Sequence, residues 1–318
     1  MSPVVQALFS QWDWRLEIVA VLAVLGVLYT TGWWRLRRRS RLDRLATRKR
    51  LAAYLAGLAV LAISLMSPVD ILGGQLFYMH MIQHMLTMMV AVPLILLANP
   101  FPFMLWGMPS GVRRPVSGLF ARRSLVRRGL TAATKPGIVF LAYFTIYLGW
   151  HDPTLYNLAL RRDWVHDVQH ITFFVVAVLF WWLVIGAAPR LHRLPLWARI
   201  GMLIGAVPPT MIAGVTIAFA GQVLYTYYET VPRIWGVTAL QDQMLAGVIM
   251  WIPGSMMFIL AALILVAGLL KGRDGDAPDA VPGWDSDVAM IAPGLENRVV
   301  QKRWQHAKAM PGRPPHVA

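Results

Sequence analysis

Residues 163–187 read DWVHDVQHITFFVVAVLFWWLVIGA and decide the fold class of this 318-residue chain. From residue 171 onward the stretch has no charged side chain, and about 20 apolar residues suffice for a helix to cross the roughly 30 Å hydrocarbon core of a bilayer. Comparable runs recur along the chain at about 14–33, 51–66, 76–98, 137–150, 165–187, 200–219 and 243–270. The second and fourth runs are short, and we expect them to extend into their flanks. The pattern predicts an all-α fold, a polytopic transmembrane helix bundle with seven spans.

The composition supports a membrane protein and narrows its chemistry. Hydrophobic residues make up 57% of the chain and charged residues 14%, whereas ordinary globular domains carry about 25% charged residues. The sequence has no cysteine, which excludes disulfides and thiolate ligands. Any metal site must therefore use imidazole, carboxylate, thioether or carbonyl groups. The motifs GxSxG, HExxH and the P-loop do not occur, so the sequence does not favour an enzyme.

The basic residues that give the chain its formal net charge of +15 are concentrated in four segments. Segments 34–50, 99–136, 188–199 and 271–318 hold nine, seven, three and seven Lys and Arg residues, which is 26 of the 30 in the chain. These four segments alternate along the chain with the remaining segments outside the spans. Seven spans therefore place all four on the same side of the membrane. The positive-inside rule then predicts an outside N-terminus and a cytoplasmic C-terminus in a cell membrane. We interpret the basic charge as a topology signal and a contact to membrane lipids, with no nucleic acid as a partner.

The chain divides into a transmembrane domain, 1–270, and a tail, 271–318. The tail is rich in proline, glycine and charge, which predicts a cytoplasmic and largely disordered segment. Within the membrane domain, residues 110–131 alternate arginine pairs with Leu, Val and Phe. That pattern is typical either of an amphipathic helix on the inner leaflet or of a solvated basic loop.

Two histidine pairs are the candidates for a metal-binding site. Residues 80–84 read HMIQH and residues 166–170 read HDVQH, so each pair has the spacing i, i+4. Chance alone gives about 0.2 such pairs for eight histidines in a chain of this length. Side chains four residues apart share one helix face, and two imidazoles placed in this way can both reach one metal at about 2.0–2.1 Å.

The predicted topology places both pairs at one depth. The third, fifth and seventh spans run in the same direction, so their first turns lie together at the outer face, beside the outer end of the fourth. We predict a metal or heme site there. Its candidate residues are His80, His84, His166, His170, Asp242 and His151.

Plainer interpretations of these residues remain open. A histidine pair can simply hydrogen-bond within the bundle or face lipid headgroups, and Asp242 can stabilise the start of its own helix through the helix dipole. Gln83 and Gln169 can bond between helices, orient a ring nitrogen or donate a hydrogen bond to Asp242. The methionines around His80 can pack the interface or supply thioether ligands to Cu(I).

The same residues carry a resemblance to a known family. Residues 67–100 (SPVDILGGQLFYMHMIQHMLTMMVAVPLILLANP), the stretch from HDPTLYNLAL at 151–160 to the HDVQH span, and LQDQMLAGVIMW at 240–251 occur in this order. Together they resemble the CtaG family, bacterial membrane assembly factors for caa3-type cytochrome c oxidase, over about residues 10–270.

The resemblance implies a seven-span protein of the bacterial inner (cytoplasmic) membrane that is not an enzyme and that matures the oxidase. It implies handling of copper at the outer face, with oxidase subunits and a copper donor protein as partners. The motif residues that match are His80, His84, His151, His166, His170 and Asp242.

Two other functions stay open from the residues. One histidine from each pair could ligate opposite faces of a heme, which would indicate a heme- or quinone-binding redox protein. A metal transporter is the other alternative, although transport requires polar residues along the whole path. In this sequence they cluster at one face.

Overall fold

The computed structural model describes residues 12–38, 45–121 and 123–270. Every regular element in these ranges is helical. In chain order they are α1 (Leu16–Arg37), α2 (Arg48–Met66), α3 (Pro68–Gly73), α4 (Phe77–Met85), a π-helical segment (Leu86–Ala91), α5 (Val92–Leu97), α6 (Pro100–Gly107), α7 (Ser110–Leu119), α8 (Leu125–Ala133), α9 (Pro136–Trp150), α10 (Pro153–Arg161), α11 (Asp163–Ile185), α12 (Leu196–Ala218), α13 (Tyr227–Thr230) and α14 (Ala239–Leu270). The predicted tail, 271–318, lies outside the described residues.

The helices confirm an all-α membrane protein with six or seven spans. Six are long and apolar enough to cross a bilayer by themselves: α1, α2, the continuous run Phe77–Leu97, α11, α12 and α14. The predicted fourth span is different, because α9 has only 15 residues. It qualifies only together with α8, from which it is bent by 61°. The bend lies where Pro136 begins a new helix. The orientation of the termini stays a prediction.

The region after the second span is helical. The sequence predicts an outer loop after Pro68, but Pro68 is the first residue of α3. Ser67 supplies the cap, since its side chain accepts a hydrogen bond from the backbone N–H of Val69. Proline suits the first position of a helix because its missing N–H would have no partner there. The short helix α3 consequently packs beside α4 at the same end of the bundle as the histidines.

Segment 110–131 forms two short helices, α7 and α8. None of the described residues of either helix is buried. Leu125 is 80% exposed and Val112 is 51% exposed, while arginines occupy the positions between the apolar ones. Helices with one basic and one exposed apolar face are typical of the membrane interface. This arrangement favours the amphipathic-helix interpretation over the solvated loop.

Glycines permit two close helix contacts. A Cβ added at Gly32 on α1 would overlap the backbone carbonyl of Phe103 on α6, and one added at Gly107 would overlap the carbonyl of Leu28. On the other side of the bundle, a Cβ at Gly214 on α12 would lie 2.7 Å from the backbone nitrogen of Trp251. Small residues at such contacts let helix backbones approach closely in membranes.

We expect Gly32→Ala to destabilise the protein by about 3 kcal/mol. Overpacking costs typically about 1–3 kcal/mol, and here the overlapped atom belongs to the backbone, which no side-chain rotation can relieve. Gly149→Ala is the matched control, since that glycine has no atom within 4 Å of the added Cβ. Thermal unfolding in detergent checks the pair, and equal unfolding temperatures for both variants would contradict the packing argument.

Candidate metal centre

The two histidine pairs face each other across the interface between α4 and α11. The ring centroid of His80 lies 5.3 Å from that of His166 and 5.7 Å from that of His170. The ring of His84 lies 4.9 Å from that of His170. Four imidazoles from two helices thus form one cluster, because i, i+4 spacing aligns each pair along its own helix.

The nitrogens of the cluster point toward one another. Nε2 of His80 lies 2.7 Å from Nε2 of His84, and Nε2 of His166 lies 3.1 Å from Nε2 of His170. Ligand-capable nitrogens of His80, His84 and His170 lie within 4.8 Å of one another. A tetrahedral metal with bonds of about 2.0–2.1 Å places its nitrogens about 3.3 Å apart. Compared with that spacing, the nitrogens 2.7 Å apart are about 0.6 Å too close, and a separation of 4.8 Å is about 1.5 Å too long, so a metal fits between these rings only after they move.

Burial divides the cluster into an inner and an outer part. His80 and His84 on α4 are 1% and 7% exposed, respectively, whereas His166 and His170 on α11 are half-buried. Phe173 closes the inner side, with its ring 4.7 Å from that of His84. The accessible side of the cluster is therefore the side of His166. The next residue, Asp167, forms an ion pair with Arg15, with 3.2 Å between Oδ1 and Nη2.

A hydrogen-bond network holds α4 in register beside α2 and α3. The Gln83 amide donates to the carbonyl of Ser64 at 2.9 Å and to the carboxylate of Asp70 at 2.6 Å. The hydroxyl of Ser64 donates in turn to the carbonyl of Gln83 at 3.0 Å. Burial raises the pKa of Asp70, and the bond from Gln83 opposes that shift. Gln83 therefore bonds between helices, which is one of its predicted functions.

The π-helical segment begins two residues after His84. A π-turn widens the helix and leaves carbonyls without their usual partners, and such turns occur frequently at functional sites. The hydroxyls of Ser64 and Thr87 meet at 2.6 Å beside this turn. The hydroxyl of Ser64 thus hydrogen-bonds both with the carbonyl of Gln83 and with Thr87 in the widened turn. These bonds position the residues next to His84.

Asp242 holds the helix that carries His80. Its two carboxylate oxygens accept hydrogen bonds from the backbone N–H groups of Phe77 and Tyr78 at 3.0 and 2.9 Å. Arg233 donates to the same carboxylate at 2.8 Å, and Asp242 is fully buried. The N-cap residue of α4, Leu76, has no polar side chain for this purpose. Asp242 on α14 therefore caps α4 from another helix and lies outside the group of nitrogens that approach one another.

His151 lies beside the cluster and outside the three-histidine group. Its ring is 4.6 Å from that of Tyr147 and 6.0 Å from that of Phe173, and its Nδ1 donates to the Tyr147 carbonyl at 2.6 Å. Burial lowers the pKa of His151 to about 4, and the bond to the Tyr147 carbonyl opposes that shift. The ring is thus neutral at pH 7, and its Nε2 keeps a lone pair.

Gln169 is a buried amide with unused bonding capacity. It is fully buried on α11 next to His170, and neither polar atom of its side chain has a hydrogen-bond partner among the described residues. Buried polar groups in native proteins nearly always have a partner, which can be a water or a ligand. The contact predicted for Gln169 is therefore not seen among the described residues, and its amide keeps unused bonding capacity.

The methionines near the cluster pack the core. Met81, Met88 and Met89 belong to the buried hydrophobic cluster, and Met85 packs against it. This placement favours the packing interpretation of the methionine-rich sequence around His80.

Sequence reasoning missed three residues that support the site. Ser64 stands out only as a polar residue in the apolar run LAISLM, and Asp70 lies within the conspicuous SPVDIL stretch. From the sequence, Arg233 is recognised only as one of the four basic residues that fall on the predicted outer side. Its link to Asp242 depends on how the loop after α13 folds back.

Comparisons with known proteins agree with the resemblance seen in the motifs. The family model described as cytochrome c oxidase caa3 assembly factor matches residues 27–272. Uncharacterized proteins of Mycobacterium bovis and Mycobacterium tuberculosis are each 30% identical over 272 residues, and one of Mycobacterium leprae is 28% identical over 273 residues. Each match covers 83% of this chain and 40% of the relative, so the chain spans about two fifths of their length. No solved structure matches the chain.

Proposed function

The chain belongs to the family of cytochrome c oxidase caa3 assembly factors, and from that premise we propose that it hands copper to the oxidase through its four-histidine cluster. The protein acts as a carrier and not as a catalyst. Copper is its cargo, which His80, His84 and His170 hold and which His166 binds at the accessible side. The observation that carries this proposal is the convergence of imidazole nitrogens from two helices in one largely buried cluster.

The donor set suits copper. Imidazole nitrogen binds Cu, Zn, Fe and Ni, and among divalent first-row metals the affinity of a nitrogen site is highest for Cu²⁺. The chain has no cysteine, so no thiolate can trap the metal. A carrier must release its cargo, and an all-imidazole site with a half-buried outer ligand is suited to ligand exchange with a receiving subunit.

Asp242 and His151 have supporting functions in this proposal. Asp242 is a positioning residue, because it fixes the first turn of α4 and thereby the ring of His80. His151 is a neutral imidazole beside Phe173 and the cluster, and the lone pair of its Nε2 serves as a reserve ligand for the metal during transfer. The copper donor on the outer side and the oxidase subunits that receive the metal are the proposed partners.

Deletion of the gene in a strain that assembles a caa3-type oxidase tests the proposal. We expect at least about tenfold less copper per oxidase complex, restored by the wild-type gene and by His192→Gln, which alters a histidine of the opposite loop. The double variant His80→Gln/His170→Gln should fail to restore it. Metal analysis and heme spectra of the purified oxidase are the measurements. An oxidase with full copper content and activity in the deletion strain would refute the function, and a Soret band in this protein would favour the heme alternative.

A further inference from the structure

A basic groove lies at the end of the bundle remote from the histidines. It has a volume of about 620 Å³ and is formed where the last turn of α1 meets the end of α6 and the start of α7. Its lining includes three arginines, two tryptophans and a serine: Arg35, Arg38, Arg113, Trp34, Trp106 and Ser110. No acidic side chain of the described chain lines it. The volume is in the range of small-molecule sites, and the charge favours an anion.

Aromatic rings and carbonyls hold the three guanidinium groups. The guanidinium carbon of Arg38 lies 3.5 Å from the ring centroid of Trp34, and that of Arg113 lies 5.2 Å from the ring centroid of Trp106. Arg35 donates from one nitrogen, Nη1, to the backbone carbonyls of residues 106, 107 and 108. Stacked or anchored guanidinium groups lose little freedom when they bind a phosphate oxygen.

Two walls of the groove, α1 and α6, are closely packed against each other. The contact between Gly32 and Phe103 brings α1 and α6 into backbone contact immediately beside it, and Gly107 makes the reciprocal approach to Leu28. The α1–α6 side of the groove is therefore held in place before any ligand binds, and a preformed wall lowers the ordering cost of binding.

The surroundings indicate a lipid as the source of the anion. Val27, 62% exposed, stands seven residues before Trp34, 50% exposed, so both lie on the same face of α1. This face leads from the groove along the apolar length of the span. On the other side, α7 presents an exposed apolar residue, Val112, beside its arginines. An anion bound in the groove thus has apolar surface on which acyl chains can lie.

We propose that this groove binds the phosphodiester headgroup of an anionic phospholipid from the basic side of the membrane. Arg38 and Arg113 contact the phosphate, Ser110 donates a hydrogen bond to it, and the acyl chains follow the exposed face of α1. The site lies far from the metal centre and does not depend on the function proposed for it. Its consequence is a fixed depth for the α1–α6–α7 unit in the inner leaflet.

Native mass spectrometry of the purified full-length protein with added lipids tests the proposal. We expect phosphatidylglycerol to bind at least about fivefold more tightly than phosphatidylcholine, since each basic group near an anionic headgroup contributes about a fivefold change in affinity. Arg38→Gln and Arg113→Gln should each weaken phosphatidylglycerol binding about fivefold. Arg114→Gln removes the same charge from an exposed neighbour that does not line the groove, and it should change binding less than twofold.

Two further measurements distinguish a lipid headgroup from free phosphate as the bound anion. Trp34→Leu removes the platform under Arg38 and should weaken lipid binding without changing charge. Millimolar inorganic phosphate should not displace the bound lipid. Equal affinity for the two lipids, an effect of Arg114→Gln as large as that of Arg38→Gln, unchanged binding in all groove variants, or displacement by free phosphate would each overturn the lipid site.

Discussion

The double variant His80→Gln/His170→Gln should lose at least about 100-fold in copper affinity relative to the wild-type protein. The two residues come from different helices and belong to the group of three whose nitrogens lie within 4.8 Å of one another. Removal of groups that only support a metal ligand typically costs about 10- to 100-fold in affinity, so the loss of two ligands costs at least as much. Glutamine keeps a polar side chain of similar length but has no imidazole nitrogen.

Purified protein loaded with copper and then desalted gives the measurement, as copper per chain by elemental analysis. His192→Gln is the matched control, because that histidine lies in the loop between α11 and α12 and contacts Thr134 on the side away from the cluster. Wild-type copper content in the double variant would show that the cluster does not hold the metal. Loss in the control as well would indicate binding elsewhere on the chain.

Asp242→Ala should destabilise the protein by about 3–5 kcal/mol, the usual cost of removing one partner from a buried ion pair. The substitution leaves the Arg233 guanidinium without its carboxylate and the N–H groups of Phe77 and Tyr78 without acceptors. The first turn of α4 should loosen, and copper affinity should fall because His80 sits one turn further along. Thermal unfolding and copper content of the same preparation measure the two effects.

A compensated variant separates a positioning function of Asp242 from a ligand function. In Asp242→Asn/Arg233→Gln the asparagine oxygen can still accept from the start of α4, and no charge remains unpaired. We expect this double variant to recover most of the copper affinity that Asp242→Ala loses. Recovery of stability without recovery of copper would show instead that the carboxylate is itself a ligand.

The sequence predicted much of the site because its signals are local or additive. Spacing i, i+4 determines which histidines share a helix face, and the distribution of basic residues over the loops aligns the directions of the spans. Those two facts suffice to predict that the starts of α4, α11 and α14 lie together. In the structure α4 contacts α11 through the histidine rings and α14 through Asp242.

Other features could not be predicted because they depend on distant residues. The bend between α8 and α9 could not be predicted, because hydropathy does not report the direction of a helix axis. The assignment of Arg233 and Ser64 to the site depends on contacts that link separate helices. No periodicity within one segment contains that information.

The sequence by itself determined the class of the protein, the position of its apolar helices along the chain, and the face on which each histidine pair stands. Hydrophobic length and helical periodicity are properties of short segments, so they can be predicted without the fold. Only the tertiary structure decided that the nitrogens of the two pairs converge and that Asp242 points its oxygens at α4. The rotation of each helix about its axis is set by packing between residues as far apart as Phe77 and Asp242, 165 positions along the chain.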